Sequence, residues 1–338
     1  MRIKLLVAAL DGDYAGHLSG TISINHADAF EVSVCSSSER LHELLASQRF
    51  DVALLDAGMV EGAELRYVHM PLLLWAEEDN AAETALDIKK VDKYRRVSAI
   101  VADILERYSK VSSGVNGSGS NRARVTAVWS PAGGVGKTTV ALAFAAKMDA
   151  EGKQAMCLNL EHFSSMPVYF AHSGKSISVV FEMLEAHEGN LKMLVQGIAC
   201  KDGGVAYFCK PENFDDMNIL TPENLALLIE ACAGLADELV IDMSCVCDES
   251  ARRVFELADD VLVVADASAA TQAKLSQFAS QNNVFEHIRA KACLVKNKGA
   301  QIDVPIVDSA ISLPLVQNAN PSVVYKALSV CDFRGGGL

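Results

Sequence analysis

Three features of this 338-residue sequence predict an α/β protein built from two parallel-sheet units. Short apolar runs alternate with segments whose apolar residues recur at helical spacing. A Gly/Ser/Asn-rich stretch, "SSGVNGSGSN" at Ser112–Asn121, interrupts that alternation. Just beyond it, an apolar run, a glycine-rich loop and a helical pattern follow one another over residues 124–150.

In the first unit, Ile3–Ala9 reads as a strand. Asp11 ends the apolar stretch and no small-residue cleavage signal follows, so a buried first strand is expected rather than a signal peptide. Tyr14–Ile24 reads as a helix and Val32–Cys35 as a short strand. Glu39–Ser47 carries Leu41, Leu44 and Leu45 at helical spacing. Asp51–Leu55 is a strand ending at Asp56, and Leu72–Trp75 is another. Val97, Ile100, Val101, Ile104 and Leu105 form the stripe of a final amphipathic helix. Residues 1–110 are thus one unit, 111–121 a linker and 122–338 the second unit. A flexible ten-residue segment spans roughly 17 Å, which leaves the units free to shift.

The second unit opens with "RVTAVW", Arg124–Trp129, a β-rich run. "SPAGGVGKTT" follows at Ser130–Thr139. Then Val140, Ala141, Phe144, Ala145 and Met148 repeat at helical spacing, and Gly152 suits a helix end. Strand, glycine loop and helix in that order are the context in which such a loop holds phosphate. Gly133, Gly134 and Gly136 lack Cβ atoms, so the backbone N–H groups around Val135 wrap an anion closely at a helix N-terminus. Lys137 reaches the β- and γ-phosphates, the Thr138 hydroxyl ligates Mg²⁺ and Thr139 donates to the α-phosphate. A glycine-rich turn with a chance Gly-Lys-Thr is the bland alternative.

Two other strand ends complete the expected site. Ala236–Met243 is an apolar run ending in Asp242, placed to hold Mg²⁺ through water, although many buried strands end in Asp. Gln154–Phe163 is a strand ending near Asn159 and Glu161, and a carboxylate at Glu161 would orient an attacking water. Lys291–Gly299 ends in Asn297-Lys298. The Asn297 amide either reads an adenine edge or belongs to a surface turn. The expected cofactors are ATP and Mg²⁺.

The formal net charge is −13. Residues 1–110 carry 12 basic and 18 acidic side chains, and residues 111–338 carry 18 and 25, so the two parts stand at −6 and −7. Neither offers the basic face that phosphate-dominated nucleic-acid binding requires. The nine cysteines have no regular spacing, and several, such as Cys157 and Cys293, lie in apolar runs. Reduced thiols in a cytoplasmic protein are the simplest account. Cys245 and Cys247 form a C-x-C, read either as small residues near a sheet edge or as a metal or cluster site. No apolar run approaches the roughly 18 residues of a membrane span. Trp75 and Trp129 end apolar strands and are expected in cores, whereas His162 is expected partly exposed. Leu225, Leu228, Ile229 and Cys232 mark a core helix capped by Thr221-Pro222.

In the order and length of its elements the first unit resembles the receiver domain of response regulators, a flavodoxin-like fold. That resemblance puts Asp56 at the phospho-acceptor position. Asp11 and Asp13 flank Gly12 where receivers carry an acid pair for Mg²⁺, and Trp75 stands where they have a small hydroxyl residue. Only about a dozen residues separate that strand from "DIKKVD", short for an intervening helix. Lys90 is the stand-in for the receiver lysine. The expectation is an atypical receiver kept for docking, with Asp56 a solvated strand end.

"GGVGKTT", "NLE" at Asn159–Glu161, "VIDM" at Asp242 and "VKNK" at Asn297 resemble the deviant Walker-A proteins of the MinD/ParA type, which are P-loop NTPases. A receiver-like unit joined by a linker to such an ATPase is similar to the TadZ/CpaE-like proteins of Tad (Flp-type) pilus assembly. The resemblance implies an ATP-favoured homodimer, partners in the pilus secretion machinery, and a cytoplasmic address at a cell pole or the inner membrane face, reached through partners. Ala132 departs from the family, whose signature lysine precedes the two glycines, and Asn159 is neutral. Weak or absent hydrolysis is therefore expected, since charge supplied in trans is worth about 10³–10⁵ in rate. A ParA-type partition ATPase should carry a basic face. A MinD-type membrane switch needs a basic amphipathic C-terminal helix, where this chain has only Lys326 and Arg334. An iron–sulfur partner of the nitrogenase iron-protein type would place a cysteine near Cys245. A scaffold holding nucleotide without turnover is the non-catalytic alternative.

Overall fold

A computed structural model of the chain describes residues 2–27, 29–60, 63–76, 88–111, 122–170, 174–186, 189–302 and 307–333. Its contacts divide it into two units, Met1–Ser112 and Ser113–Leu338.

The first unit runs β1 (Ile3–Ala8), α1 (Gly12–Asn25), β2 (Phe30–Cys35), α2 (Ser38–Ser47), β3 (Phe50–Asp56), α3 (Ala57–Val60), β4 (Val68–Trp75), β5 (Lys89–Asp92) and α4 (Val97–Val111). The five strands are parallel in the order β2-β1-β3-β4-β5, the flavodoxin-like order. Central β1 and β3 are apolar on both faces because helices cover both sides of such a sheet. α1 begins at Gly12 rather than Tyr14, because the Asp11 side chain accepts hydrogen bonds from the Asp13 and Tyr14 N–H groups. β4 is twice the expected length. Pro71 sits in its middle, and a proline within a run discourages a strand reading of what precedes it. "DIKKVD" supplies β5, and α4 continues through Val111, into the expected linker. The remainder of that linker, and the short segment 77–87, lie outside the described residues.

The second unit runs β6 (Arg124–Trp129), α5 (Lys137–Ala150), β7 (Ala155–Asn159), α6 (Ser178–Ala186), α7 (Leu191–Ile198), β8 (Cys200–Asp202), β9 (Val205–Tyr207), α8 (Pro222–Ala233) and β10 (Glu238–Asp242). It continues α9 (Glu249–Leu257), β11 (Asp260–Ala265), α10 (Ala269–Ala279), α11 (Asn282–Arg289), β12 (Ala292–Lys296), β13 (Ser309–Ser312) and α12 (Pro321–Leu328). The eight strands order as β13-β12-β11-β6-β10-β7-β9-β8. The sheet is not wholly parallel as expected: edge strand β8 runs antiparallel to β9. Gly203 and Gly204, both at positive φ, make the two-residue turn that joins them.

Both faces of this sheet are covered. Val128, Val240, Leu262 and Val295 pack under α5 and α12, while Val125, Ala127, Leu239 and Val263 pack under α8 to α11. Trp129 is 1 % exposed and meets Phe255 and Phe278, as expected of a core residue. Thr221 caps α8, whose Leu225, Leu228, Ile229 and Cys232 are buried, also as expected. A parallel sheet gathers its strand ends on one edge. Register places Val128, Asp242 and Asn159 side by side where β6, β10 and β7 finish. The candidate site residues of β7 and β10 collect there.

Candidate functional site

β6 ends at Trp129, and the chain turns through residues 130–136 into α5. The buried Ser130 hydroxyl accepts from the Ala132 N–H at 3.1 Å and sets the first bend. Gly134 (φ 74) and Gly136 (φ 95) occupy left-handed backbone that costs an ordinary residue about 1–2 kcal/mol. At Gly136 a Cβ would also lie 2.5 Å from Asn297 Nδ2. Among the described residues, no hydrogen bond uses the N–H groups of Gly133, Gly134, Val135, Gly136, Lys137 or Thr138. Gly133 and Gly134 are exposed, Gly136 is half-buried, and Val135, Lys137 and Thr138 are buried. Buried amides without partners are costly, and such a run at the N-terminus of a fourteen-residue helix suits an anion.

Lys137 and Thr138, the first residues of α5, are nearly enclosed. Lys137 Nζ stands 4.0 Å from Glu161 Oε1, beyond the end of β7. Asp242 is fully buried, and its Oδ2 accepts from Asn159 Nδ2 at 2.7 Å. Its Oδ1 has no hydrogen-bond partner among the described residues, although the Thr138 hydroxyl faces the carboxyl. Burial pushes the Asp242 carboxyl up to about 7. The Glu161 carboxylate adds to the rise, while Thr138, Asn159 and Lys137 oppose it. A desolvated carboxylate with one oxygen left over, beside a threonine hydroxyl, fits a hard cation that takes oxygen ligands.

Asn297 is buried rather than part of a surface turn. Its Nδ2 donates to Val135 O at 2.9 Å and its Oδ1 accepts from Lys298 N at 2.8 Å. Three contributors escaped sequence reasoning. Lys298 Nζ donates to Gly134 O at 2.9 Å and pairs with Asp266 Oδ2 at 3.2 Å. The Tyr169 hydroxyl is hydrogen-bonded to Thr139 Oγ1 at 2.7 Å. Asn159, considered above only for its lack of charge, is the donor that orients Asp242. The Lys298 signal was present in "NKG", next to Asn297. Tyr169 lies in a connection with no motif. Ala132 is 4 % exposed and packs beside α5, so position 132 contributes no charge. His162 is exposed, as expected.

In the first unit, Asp56 is buried rather than a solvated strand end, at 5 % exposure. Lys93 Nζ lies 2.6 Å from its Oδ1, and Leu10 N–H donates to its Oδ2 at 2.9 Å. The lysine facing it is therefore Lys93, just past β5, and not Lys90. Lys90 instead lies over the Trp75 ring, 3.4 Å from its centre, which leaves Trp75 half-buried rather than in the core. Asp11 is committed to capping α1 and Asp13 is exposed, so neither faces Asp56 as a matched acid pair. Cys245 is exposed and Cys247 half-buried, and among the described residues no three metal-ligating side chains gather around them. No described helix is long and apolar enough to cross a membrane.

No family model and no curated protein matches the sequence. Solved structures do match. A ParA family ATPase from Chlorobium tepidum TLS aligns over 62 % of this chain and 91 % of its own, with a TM-score of 0.52 and 17 % identity. A plasmid partition protein from Borrelia burgdorferi B31 bound to AMPPNP aligns over 61 % and 90 %, with a TM-score of 0.48 and 14 % identity. The septum site-determining protein MinD from Pyrococcus horikoshii OT3, complexed with Mg-ADP, aligns over 61 % and 94 %, with a TM-score of 0.45 and 12 % identity. The likeness to the Chlorobium ATPase shows the fold: the second unit has the P-loop architecture of ParA-type ATPases.

Proposed function

We propose that the second unit binds ATP with Mg²⁺, and that the chain is a nucleotide-dependent organiser of a Tad/Flp-type pilus machine with slow or absent hydrolysis. One observation carries the nucleotide reading. Six loop amides with no hydrogen-bond partner among the described residues run up to Thr138, whose hydroxyl faces a buried carboxylate with an oxygen to spare. In this reading the amides of Gly133 to Thr138 hold the terminal phosphates, with Lys137 released from Glu161 toward them. Thr139, steadied by Tyr169, serves the α-phosphate. The Asn297 N–H not bonded to Val135 is the donor left for an adenine edge. Thr138 and Asp242 are the residues to hold Mg²⁺, which when bound neutralises charge on the phosphate oxygens.

Slow turnover follows from what the site lacks. Position 132 is a buried alanine, and the Lys298 ammonium is already paired with Asp266. Asn159 takes no proton, which leaves Glu161 to orient water. The receiver-like unit has Asp11 committed to the α1 cap and Asp13 exposed, with no matched acid pair facing Asp56, which supports a docking role over a phosphorelay role. A nucleotide-dependent homodimer, pilus-machinery partners and a polar address rest on the resemblance in layout. The runner-up, a partition or cell-positioning ATPase, has the same fold but needs a basic face, which a balance of −7 in this part of the chain does not favour.

Calorimetry of the full chain with ATP tests the reading. Binding that requires Mg²⁺ and disappears in Lys137→Ala is expected, and no heat with any adenine nucleotide overturns it. Comparing γ-phosphate release by the native chain and Glu161→Gln then separates a slow ATPase from a scaffold: equal background rates mean scaffold. A labelled chain spread evenly through cells that build Tad pili contradicts the pilus role.

A further inference from the structure

For the loop to turn N–H groups toward an anion, the carbonyls of the same peptide planes must face outward, and each outward carbonyl needs a donor. The carbonyl of Gly134 shares a peptide plane with the Val135 N–H, and the carbonyl of Val135 shares one with the Gly136 N–H. Both carbonyls are met by consecutive side chains just past β12: Lys298 Nζ on Gly134 O and Asn297 Nδ2 on Val135 O, each at 2.9 Å. Asn297 Oδ1 accepts from Lys298 N, so the two act as one bracket. The bracket is anchored at a third strand end. Asp266, following β11, pairs with Lys298 and accepts from Ser268 and Thr271.

Backbone geometry adds an independent observation. Lys298 has φ 58, in the left-handed region that a residue with a Cβ avoids. Gly299 follows at φ 68, so a glycine at 298 would have suited the turn equally. Outliers of this kind persist where surrounding contacts over-determine them, and they cluster at ligand clamps. Here the strained backbone aims the ammonium at the loop.

We propose that Asn297 and Lys298 are positioning residues that lock the 134–135 and 135–136 peptide planes with N–H inward, Asp266 serving as their anchor. This rests on the nucleotide reading above. Without the bracket either plane is free to flip and present a carbonyl, which repels phosphate. The bracket also explains Gly136, whose missing Cβ leaves room for the Asn297 amide.

The test uses the full chain with Lys298→Met, Lys298→Arg and Lys298→Gly. In the nucleotide-free protein, the ¹⁵N order parameter of the Val135 amide should fall from about 0.85 to below about 0.6 in Lys298→Met, while the Gly136 amide, whose plane Asn297 holds, stays the more ordered of the two. Affinity for a fluorescent ATP analogue with Mg²⁺ should fall about tenfold, and Lys298→Arg should recover most of it, since its guanidinium reaches both acceptors. Lys298→Gly removes the lysine arm of the bracket and the strain together, leaving Asn297 on Val135 O. It should melt within about 2 °C of the native chain yet bind as weakly as Lys298→Met. An unchanged Val135 order parameter in Lys298→Met, or native affinity in Lys298→Gly, overturns the proposal. A native chain that fails to bind the analogue overturns the nucleotide reading instead, and the order parameters then decide the bracket alone.

Discussion

Replacing Asp242 by Asn should stabilise the nucleotide-free protein while removing its response to Mg²⁺. The carboxyl is fully buried and burial moves it from 3.8 to about 7. Its folded value is raised, so below pH 4 both states hold the proton and nothing is lost. As pH climbs from about 4 to 7, the unfolded chain ionises while the folded chain does not, and folding stability falls. A shift of about 3 units corresponds to about 4 kcal/mol above pH 7 and to roughly 2 kcal/mol at pH 5. Asn keeps an oxygen for the Asn159 amide but puts an NH₂ where Oδ1 was, at a pH-independent cost of about 1–3 kcal/mol. The net effect at pH 8 is a gain of about 1–3 kcal/mol, shrinking to nothing or a loss at pH 5. The difference between the two pH values, about 2–3 kcal/mol, does not depend on the amide cost. It corresponds to roughly 5–10 °C in melting temperature for a unit of this size. Circular dichroism melts of both proteins at pH 5 and pH 8, with and without Mg-ATP, measure it. If Asp242→Asn shifts the melt equally at the two pH values, Asp242 is not desolvated and its fit to a cation loses its physical basis.

Other substitutions probe the same contacts. Lys93→Met should destabilise the first unit by about 3–5 kcal/mol in urea melts, because it strands a buried carboxylate, and adding Asp56→Asn should recover most of that. A double variant no better than the single would show that the pair is not what holds those strand ends. Gly136→Ala forces a left-handed alanine against Asn297, so it should abolish nucleotide binding and lower the melting temperature; native affinity would contradict the loop geometry. Tyr169→Phe removes the hydrogen bond to Thr139, at about 0.5–1.5 kcal/mol, and should weaken ATP affinity about 3–10-fold with little change in melting. Mg-ATP affinity of the native chain should rise between pH 6 and 8, with release of close to one proton at pH 6 that fades toward none at pH 8, seen by calorimetry in buffers of different ionisation heat, because Asp242 must ionise to meet the cation.

What could be read from the sequence was local. The strand, glycine loop and α5 lie within one continuous stretch, so chain order alone placed Gly133 to Thr139. Asp242 was legible as the polar end of an apolar run, and Asp56 likewise. The surroundings of those two acids were not. Asp56 looked solvated because its covering groups, Leu10 and Lys93, come from the ends of β1 and β5, 46 residues before it and 37 after. Lys90 was chosen over Lys93 because spacing does not say where β5 stops. The side chain three residues on is the one past the strand end, facing the pocket, while Lys90 leans on Trp75.

The same limit explains Asn159, Lys298 and Tyr169, and it bears on how the site works. Each becomes functional only through strand order: β7 beside β10 brings Asn159 to Asp242, and β12 beyond β11 carries Lys298 to the loop. Read singly, Asn159 was a lost charge and Lys298 a turn residue. In place, Asn159 holds one oxygen of a carboxylate that burial disfavours, and Lys298 holds a loop whose amides lack partners. The nucleotide-free site is therefore kept in an unfavourable electrostatic arrangement by bonds from neighbouring strands. The buried amides of Val135, Lys137 and Thr138 and the desolvated Asp242 would all gain from a cation-bound polyphosphate. Ligand binding should then stabilise this unit by more than mass action on a neutral cleft would suggest. On the proposed reading, a site so organised is suited to holding nucleotide, and the alanine at position 132 is the reason to expect slow turnover.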